Sequence, residues 1–393
     1  MTDDCYLCGH TLGDALHVHD QGRTGPLLTV ACSQCSLLQT SPHPTAAEVA
    51  DYYRSGQYRR EFPALPREEL DAELQPTGRT VRPEDDDYAD TLDRHGEHAA
   101  RRLIDALGLG AGVRVLEVGC GDGRVAAAMR RLGVDVRAAE YDPRLAAEAV
   151  ERGAELAGLE DDGFDIAYAL QVVEHFADPV GELEAMVRRV KIGGLVFVEV
   201  PTVERPYVSL SHFLQKPHVV NYSTHTLAAA LRRAGLKEVH TAIDGSVLLG
   251  WGVRSADGPR AYEPHGGPLA PEVVGKLLAW ERQRAATAAA ERHIECFLDA
   301  EWRACVPGDN NRATLNFMAD EFQRWRRMGS DAGVSLAKLC RMLEEVERPD
   351  WHADPWMRGF YAGRIYEGQR MGTAIAHINN QLGLNLNKPV ESK

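Results

Sequence analysis

The chain has 393 residues, a formal net charge of −14, 44% hydrophobic residues and 26% charged residues. That length holds two or three domains, and the composition is ordinary for soluble globular protein. The acidic balance argues against extended nucleic-acid contact, which rests on neutralising phosphates with Lys and Arg. No run of about 18 apolar residues occurs, so no membrane span is expected. The acidic, polar start MTDDCYLCGH is not a secretory signal, which makes the cytoplasm the expected compartment.

Half of the eight cysteines fall in the first 35 residues. Cys5-x-x-Cys8 and Cys32-x-x-Cys35 are matched pairs separated by 23 residues. Each pair presents two thiolates to one ion, and a hairpin at Gly22 to Pro26 would bring the pairs together as a four-sulfur cage. Such a closed cage predicts a structural zinc ribbon, not a catalytic zinc. Cys296, Cys305 and Cys340 lack matched spacing and read as core thiols. Thr45 to Glu48 is a capping box ahead of a short helix, so residues 1–60 are expected to form ribbon plus helix. Tyr52, Tyr53 and Tyr58 either pack on the next domain or touch a substrate.

Residues 61–90, with Pro63, Pro66, Pro76 and Pro83, read as a linker or lid edge. An amphipathic helix is expected over Tyr88 to Leu107. From Val113 the pattern alternates strand and helix, which predicts a parallel sheet with right-handed crossovers. The first strand carries Glu117 and breaks into Gly119, Cys120, Gly121, Asp122 and Gly123 before a helix-forming run. Strand, glycine turn and helix are the plan of a nucleotide-cofactor site. The spacing is G-x-G-x-G, not the G-x-G-x-x-G of dinucleotide sites. Glu117 would repel a pyrophosphate and would suit a ligand with an amine and a sulfonium. The second strand, Val134 to Ala139, ends at Glu140 and Tyr141, where a carboxylate can accept from both hydroxyls of a ribose. Asp142 is the runner-up for that role and could equally cap the next helix. Further strands are expected near Ala154 to Leu159, at Phe164 to Leu170, at Leu195 to Pro201, at Lys237 to Ile243 and at Ser246 to Arg254. Glu160, Asp161 and Asp162 flank the place for an adenine.

Glu117-x-Gly119-x-Gly121-x-Gly123 closely resembles motif I of class I S-adenosylmethionine (SAM) methyltransferases. Gln171-Val-Val-Glu174-His175, followed by Asp178-Pro179, resembles their motif after the fourth strand. The two cysteine pairs and the tyrosine-rich helix are similar to what precedes the SAM domain in bacterial sugar C-methyltransferases and their relatives. The resemblance covers about residues 1–254. It implies a Rossmann-like α/β fold with a seven-stranded sheet over 91–256, an N-terminal zinc ribbon, and SAM beside Glu117, Gly119, Cys120, Gly121, Gly123, Glu140, Tyr141 and Gln171. It also implies a zinc ion on Cys5, Cys8, Cys32 and Cys35. At the position of the family's Tyr-x-Glu-His constellation this chain has Lys216-Pro217-His218, so His218 matches and Pro217 replaces the glutamate.

Acceptor groups are expected after the fifth strand, among His212, Lys216, His218, Tyr222 and His225. Methyl transfer needs alignment of donor and acceptor, and proton removal if the acceptor is a hydroxyl or carbon acid. His218, then Tyr222, are the candidates for base or orienter, with His225 near a helix start. Residues 255–271 read as a Pro/Gly linker. Residues 271–393 read as an all-α domain, serving as an active-site cap or a homodimer interface. The expected activity is methylation of a small molecule, a natural-product or sugar-type intermediate. The rivals are tRNA or protein methylation and a SAM-fold scaffold without catalysis.

Overall fold

The computed structural model describes residues 3–20, 28–57 and 88–285, apart from Ala111, Leu159, Tyr207, Val208, Gln215, Lys216 and His265, and also Ala319 and Phe322. The Gly22 to Pro26 turn, the 61–87 part of the linker, Tyr58, Lys216 and nearly all of the C-terminal helical expectation lie outside the described residues. The chain divides into two compact units, Met1–Leu278 and Ala279–Lys393. A helix runs over 270–285.

The N-terminal strands β1 (Leu16–Asp20), β2 (Leu28–Ala31) and β3 (Leu38–Ser41) form an antiparallel meander. The capping box forms as expected: Thr45 accepts from the Glu48 N–H and Glu48 accepts from the Thr45 N–H, opening α1 (Ala46–Arg54). Helix α2 (Tyr88–Leu107) then leads into the large sheet.

That sheet contains β4 (Arg114–Val118), β5 (Asp135–Ala139), β6 (Phe164–Leu170), β7 (Val190–Pro201), β9 (Leu236–Asp244) and β10 (Val247–Arg254). Its order is β5-β4-β6-β7-β10-β9. The first four are parallel, and β10 runs antiparallel to both neighbours. Between them lie α3 (Arg124–Arg131), α4 (Pro143–Glu151) and α5 (Pro179–Arg189). Leu116, Ala167, Val196 and Val198 are fully buried, as expected of parallel strands covered on both faces.

Among the described residues this sheet has six strands, not the expected seven. The expected third strand is a single parallel bridge, Ala138 to Leu156. It is held by Ala138 N–H to the Glu155 carbonyl and Ala157 N–H to the Ala138 carbonyl, both 2.8 Å. The stretch is cut short by Gly153, at φ 99°, and by the Gly158–Asp161 turn. The Glu155 side chain is drawn away to Arg130 and Arg137. β7 starts at Val190, earlier than expected, because Val190 already pairs with Phe164 across a register shift.

After β7 come the short α6 (Leu210–Phe213), the two-residue β8 (Val220–Asn221) and α7 (Thr224–Arg233). β8 does not join the large sheet. It pairs antiparallel with β3, Leu38 opposite Asn221 and Gln39 opposite Val220, as the fourth strand of the N-terminal sheet. The next residue, Tyr222, bridges to Thr202 at the end of β7. The segment from 217 to 222 is thereby clamped between the two sheets. No helix among the described residues is long and apolar enough to cross a membrane.

Candidate active site

β4 carries Glu117 into the interior, where it is 4% exposed. Burial pushes its carboxyl up to about 8, against the Tyr168 hydroxyl and the Ala126 N–H, which favour the carboxylate. Its Oε2 has no hydrogen-bond partner. An uncompensated buried carboxylate is costly and is retained where a cation can meet it. Beyond it, Gly119, Gly121 and Gly123 have φ of 72°, 55° and 76°. A Cβ at Gly119 would lie 2.4 Å from Val172, and one at Gly123 2.5 Å from Ala149, so the loop is pressed onto the turn after β6 and onto α4. A Cβ at Gly121 would meet nothing within 4 Å. The centre of the loop therefore faces open space, the room a ligand's backbone-hugging part requires.

Glu140 ends β5 and folds back on this loop. Its Oε2 accepts from Gly121 N–H at 2.8 Å, and its Oε1 from Tyr141 and Asp142 N–H at 2.8 and 2.9 Å. Oε1 is filled by its two N–H donors, and Oε2 keeps one lone pair for a ligand hydroxyl. Asp142 is taken up as the cap of α4, accepting from Arg144 N–H at 2.9 Å and pairing with its guanidinium at 2.7 Å. Tyr141 is exposed, under the Arg54 guanidinium of α1. Cys120 is buried in the core, which pushes its thiol far up, so it offers the site backbone only. On the other flank Asp93 of α2 pairs with Arg124 and, at 3.2 Å, Arg152, while Arg124 also holds Asp122 at 2.7 Å. Helix α2 is latched to the glycine loop by these ions. Asp161 is engaged in its own turn, accepting from Gly158 N–H at 2.7 Å, whereas Glu160 and Asp162 are exposed.

The side on which an acceptor is expected begins at Gln171. Its φ is 55°, and its backbone and side chain both donate to Glu199, at 2.8 and 3.2 Å. The following turn buries Glu174, 2% exposed, and sets His175 beside it. His175 Nδ1 lies 2.9 Å from the Pro217 carbonyl, which can only accept, so Nδ1 carries the proton and Nε2 is the acceptor. That Nε2 is 3.6 Å from Glu174 Oε1. The His218 ring sits 5.0 Å from the His175 ring, and one ligand atom from each of Glu174, His175 and His218 lies within 4.8 Å of the others. Tyr53 of α1 meets His175 edge-on at 6.0 Å. Burial pushes Glu174 up to about 8 and His175 down to about 4; burial and then His175 push His218 down to about 3. Tyr222, 1% exposed, is pushed far up by burial and by Glu174 and Glu182, so it stays a phenol that donates. His225 is exposed in the first turn of α7, away from this buried group.

The four N-terminal thiols also converge. Cys5 Sγ lies 3.5 Å from Cys35 Sγ, and Cys8 Sγ 3.6 Å from Cys32 Sγ, with all four within 4.8 Å. A tetrahedral zinc with bonds near 2.3 Å needs sulfur–sulfur edges of about 3.8 Å. Hydrogen bonds from Cys35, Cys5 and Cys8 hold the Cys32 thiol far below its usual range, and Cys32 in turn pushes Cys5 and Cys35 far above theirs. Such a set ionises fully only against a cation, so its chemistry fits zinc.

A family model described as a methyltransferase domain matches residues 92–241. Residues 92–241 thus carry a methyltransferase domain. It is 34% identical over 102 residues to a ubiquinone biosynthesis O-methyltransferase of Xanthomonas oryzae pv. oryzae, covering 22% of this chain and 43% of the relative. The counterpart in Cereibacter sphaeroides is 35% identical over 98 residues, covering 22% and 40%. The chain thus spans less than half the length of these curated relatives. A SAM-dependent methyltransferase structure from Thermotoga maritima, described as a possible histamine N-methyltransferase, aligns with 19% identity over 52% of this chain and 98% of that one, at a TM-score of 0.35. The magnesium protoporphyrin IX methyltransferase of Synechocystis PCC 6803 aligns with 14% identity over 53% and 98%, at a TM-score of 0.36.

Within the methyltransferase domain, the structure brings Glu117, the three glycines and Glu140 around one opening, and sets Gln171 at the end of the neighbouring strand. It packs His218 and Tyr222 into the buried group with Glu174 and leaves His225 exposed. In the sequence Glu174 and His175 stand out only as part of the motif after the fourth strand. Their signal was the adjacency of an acid and an imidazole one turn past β6, but His218 had to be placed beside them first.

Proposed function

We propose that the protein transfers a methyl group from SAM to a hydroxyl of a small-molecule acceptor. The observation that carries this reading is Glu117, a buried carboxylate with an unsatisfied oxygen beneath an open glycine loop. SAM supplies a methyl group already activated on a sulfonium, so the chain has only to hold, align and manage a proton. Glu117 would meet the cationic end of the ligand, Glu140 its ribose hydroxyls, and the Gly121 opening would admit the chain between them. On the acceptor side, Tyr222 donates a hydrogen bond and the His218 group handles the acceptor oxygen. With its ring pushed down to about 3, His218 is a neutral orienter and a poor proton acceptor. Hydroxyl acceptors are favoured by the curated relatives, which are named O-methyltransferases. A natural-product or sugar-type acceptor remains within this proposal.

The ribbon's part is structural. We infer that Cys5, Cys8, Cys32 and Cys35 hold zinc, and that the ribbon in turn holds the acceptor loop. Thr40 N–H donates to the Val219 carbonyl at 2.9 Å, and Thr40 Oγ1 to the His218 carbonyl at 3.1 Å. Arg233 of α7 donates to the Tyr6 carbonyl at 2.9 Å. The deciding experiment incubates the protein with deuteromethyl-SAM and cell extract and follows the label by mass spectrometry. Label on a small molecule is expected. Label found on RNA or protein alone would overturn the reading, and tight SAM binding with no transfer would make the protein a scaffold.

A further inference from the structure

We propose that Glu174, His175 and His218 form a second metal centre, a site for a first-row divalent cation that takes the acceptor's hydroxyl oxygen as a further ligand. Three observations point there. One imidazole nitrogen from each histidine and one Glu174 oxygen lie within 4.8 Å of one another, and His175 Nε2 is 3.6 Å from Glu174 Oε1. Ligands on one cation at bonds near 2.1 Å lie about 3.0 to 3.5 Å apart, so little movement closes the set. The second observation is Glu174 itself. It is 2% exposed, and neither carboxylate oxygen accepts a hydrogen bond among the described residues. A buried acid kept for packing would be satisfied by neighbours, as Asp142 is by the Arg144 N–H and guanidinium. The third is the orientation of His175. Its Nδ1–H is fixed on the Pro217 carbonyl, which turns Nε2 toward Glu174; metal-bound histidines are held in this way by their outer-shell partners.

Two nitrogens and one carboxylate suit Zn²⁺, Fe²⁺, Mn²⁺ or Co²⁺, and three protein ligands leave a position open. The position is apt. Val172, two residues before Glu174, is the residue against which Gly119 of the loop packs. The centre is therefore adjacent to the methyl-donor site and belongs to the acceptor side. An acceptor hydroxyl on the cation would become more acidic and release its proton to water. This chemical role rests on the methyltransferase reading, but the binding site does not.

The test uses the full chain with its cysteine site loaded with zinc, treated briefly with chelator, then titrated with Co²⁺ alone. Expected is one Co²⁺ per chain beyond the ribbon zinc, with a cobalt-edge X-ray absorption shell of nitrogen and oxygen that includes imidazole scattering. Glu174→Gln should weaken it more than about 100-fold, beyond what loss of an outer-shell partner costs, with SAM affinity kept within twofold. If that variant fails to fold, the absorption shell of the wild-type protein decides alone. No cobalt beyond the ribbon, a sulfur-only shell, or wild-type affinity in Glu174→Gln would overturn the centre. Failure of the wild-type protein to bind SAM would sink the methyltransferase reading while leaving the cobalt result to judge the site.

Discussion

Glu117 and Glu174 are two buried acids with the same displacement and different surroundings. Burial pushes each up to about 8. Glu117 sits on a central strand with a phenol and a backbone N–H favouring its ionised form, and it looks out through a glycine loop. Glu174 sits in a turn, beside two imidazoles that burial keeps neutral, under a loop clamped by the ribbon. The Glu117 side is thus built at the ends of neighbouring strands of one sheet. The Glu174 side is assembled from α1, the turn after β6 and the 217–222 segment, and β8 within that segment pairs with the N-terminal sheet. The same device, a carboxylate withheld from water, is supported locally in one place and by long-range packing in the other.

The largest break in that comparison should come from the cysteines. Cys32→Ala removes one of four ligands, and structural zinc contributes on the order of 10 kcal/mol to such folds. The N-terminal sheet should unfold, taking β8 with it. Zinc content measured by mass spectrometry should fall to zero, and acceptor methylation should be lost while residues 92–241 still bind SAM. A soluble Cys32→Ala protein with full turnover would sink the structural zinc. Next in size is Glu117→Gln. A charge-assisted bond contributes about 1.5–3 kcal/mol, so SAM affinity by calorimetry should fall about 10- to 100-fold. The ligand-free melting temperature should hold or rise, because a buried charge has been removed. Unchanged SAM affinity would remove Glu117 from the site.

How much of this was legible follows the same division. Glu117, its glycines, Glu140 and strands β4, β5, β6, β9 and β10 could be placed within a residue or two, because strand periodicity and glycine punctuation are local signals. The bounds of α2 and the capping box at Thr45 also hold, for the same reason. The seventh strand could not be weighed from sequence, since a four-residue stretch between glycines makes a bridge or a strand according to its neighbours' ion pairs. Least legible was the acceptor side. β8 has two residues and its partner β3 lies about 180 positions earlier, so no pattern announces the pairing. Without it His218, the first candidate for base or orienter, has no fixed neighbour, and nothing ties it to Glu174 and His175. The turn at 22–26, Lys216 and the helical expectations from 286 onward fall outside the described residues.

Protonation offers a milder test that sharpens the comparison without mutation. Glu117 has its carboxyl raised from 4.5 to about 8 in the folded protein. A raised acid contributes stability below its unfolded value and loses it as pH rises through the folded value. Glu117's own contribution should therefore fall from pH 4.5 toward about 8, read by denaturant titration as the difference between the wild-type protein and Glu117→Gln, in which the opposing trend of His175 and His218 cancels. SAM affinity should run the other way and grow over the upper part of that window, since a cationic ligand selects the carboxylate. Glu117→Gln should flatten the affinity profile. An affinity that falls with pH across that range, or a profile unchanged in the variant, would show that Glu117 does not face the ligand's positive charge.

The smallest expected effect isolates the ribbon's hold on the acceptor side. Thr40→Val deletes the hydroxyl that donates to the His218 carbonyl at 3.1 Å, while its backbone N–H still reaches Val219. One neutral hydrogen bond is worth about 0.5–1.5 kcal/mol, too little to unfold the sheet. Thr40 is fully buried and belongs to the ribbon, far in sequence from every residue of the methyl-donor side. If the ribbon acts by positioning His218, the KM for the acceptor identified with labelled SAM should rise a few-fold, with the Kd for SAM unmoved. Equal changes in both would mean that the ribbon stabilises the whole unit without distinguishing its two halves. The strand pairing would then be packing alone, and His218 would owe its place to the large sheet through Tyr222 and Thr202.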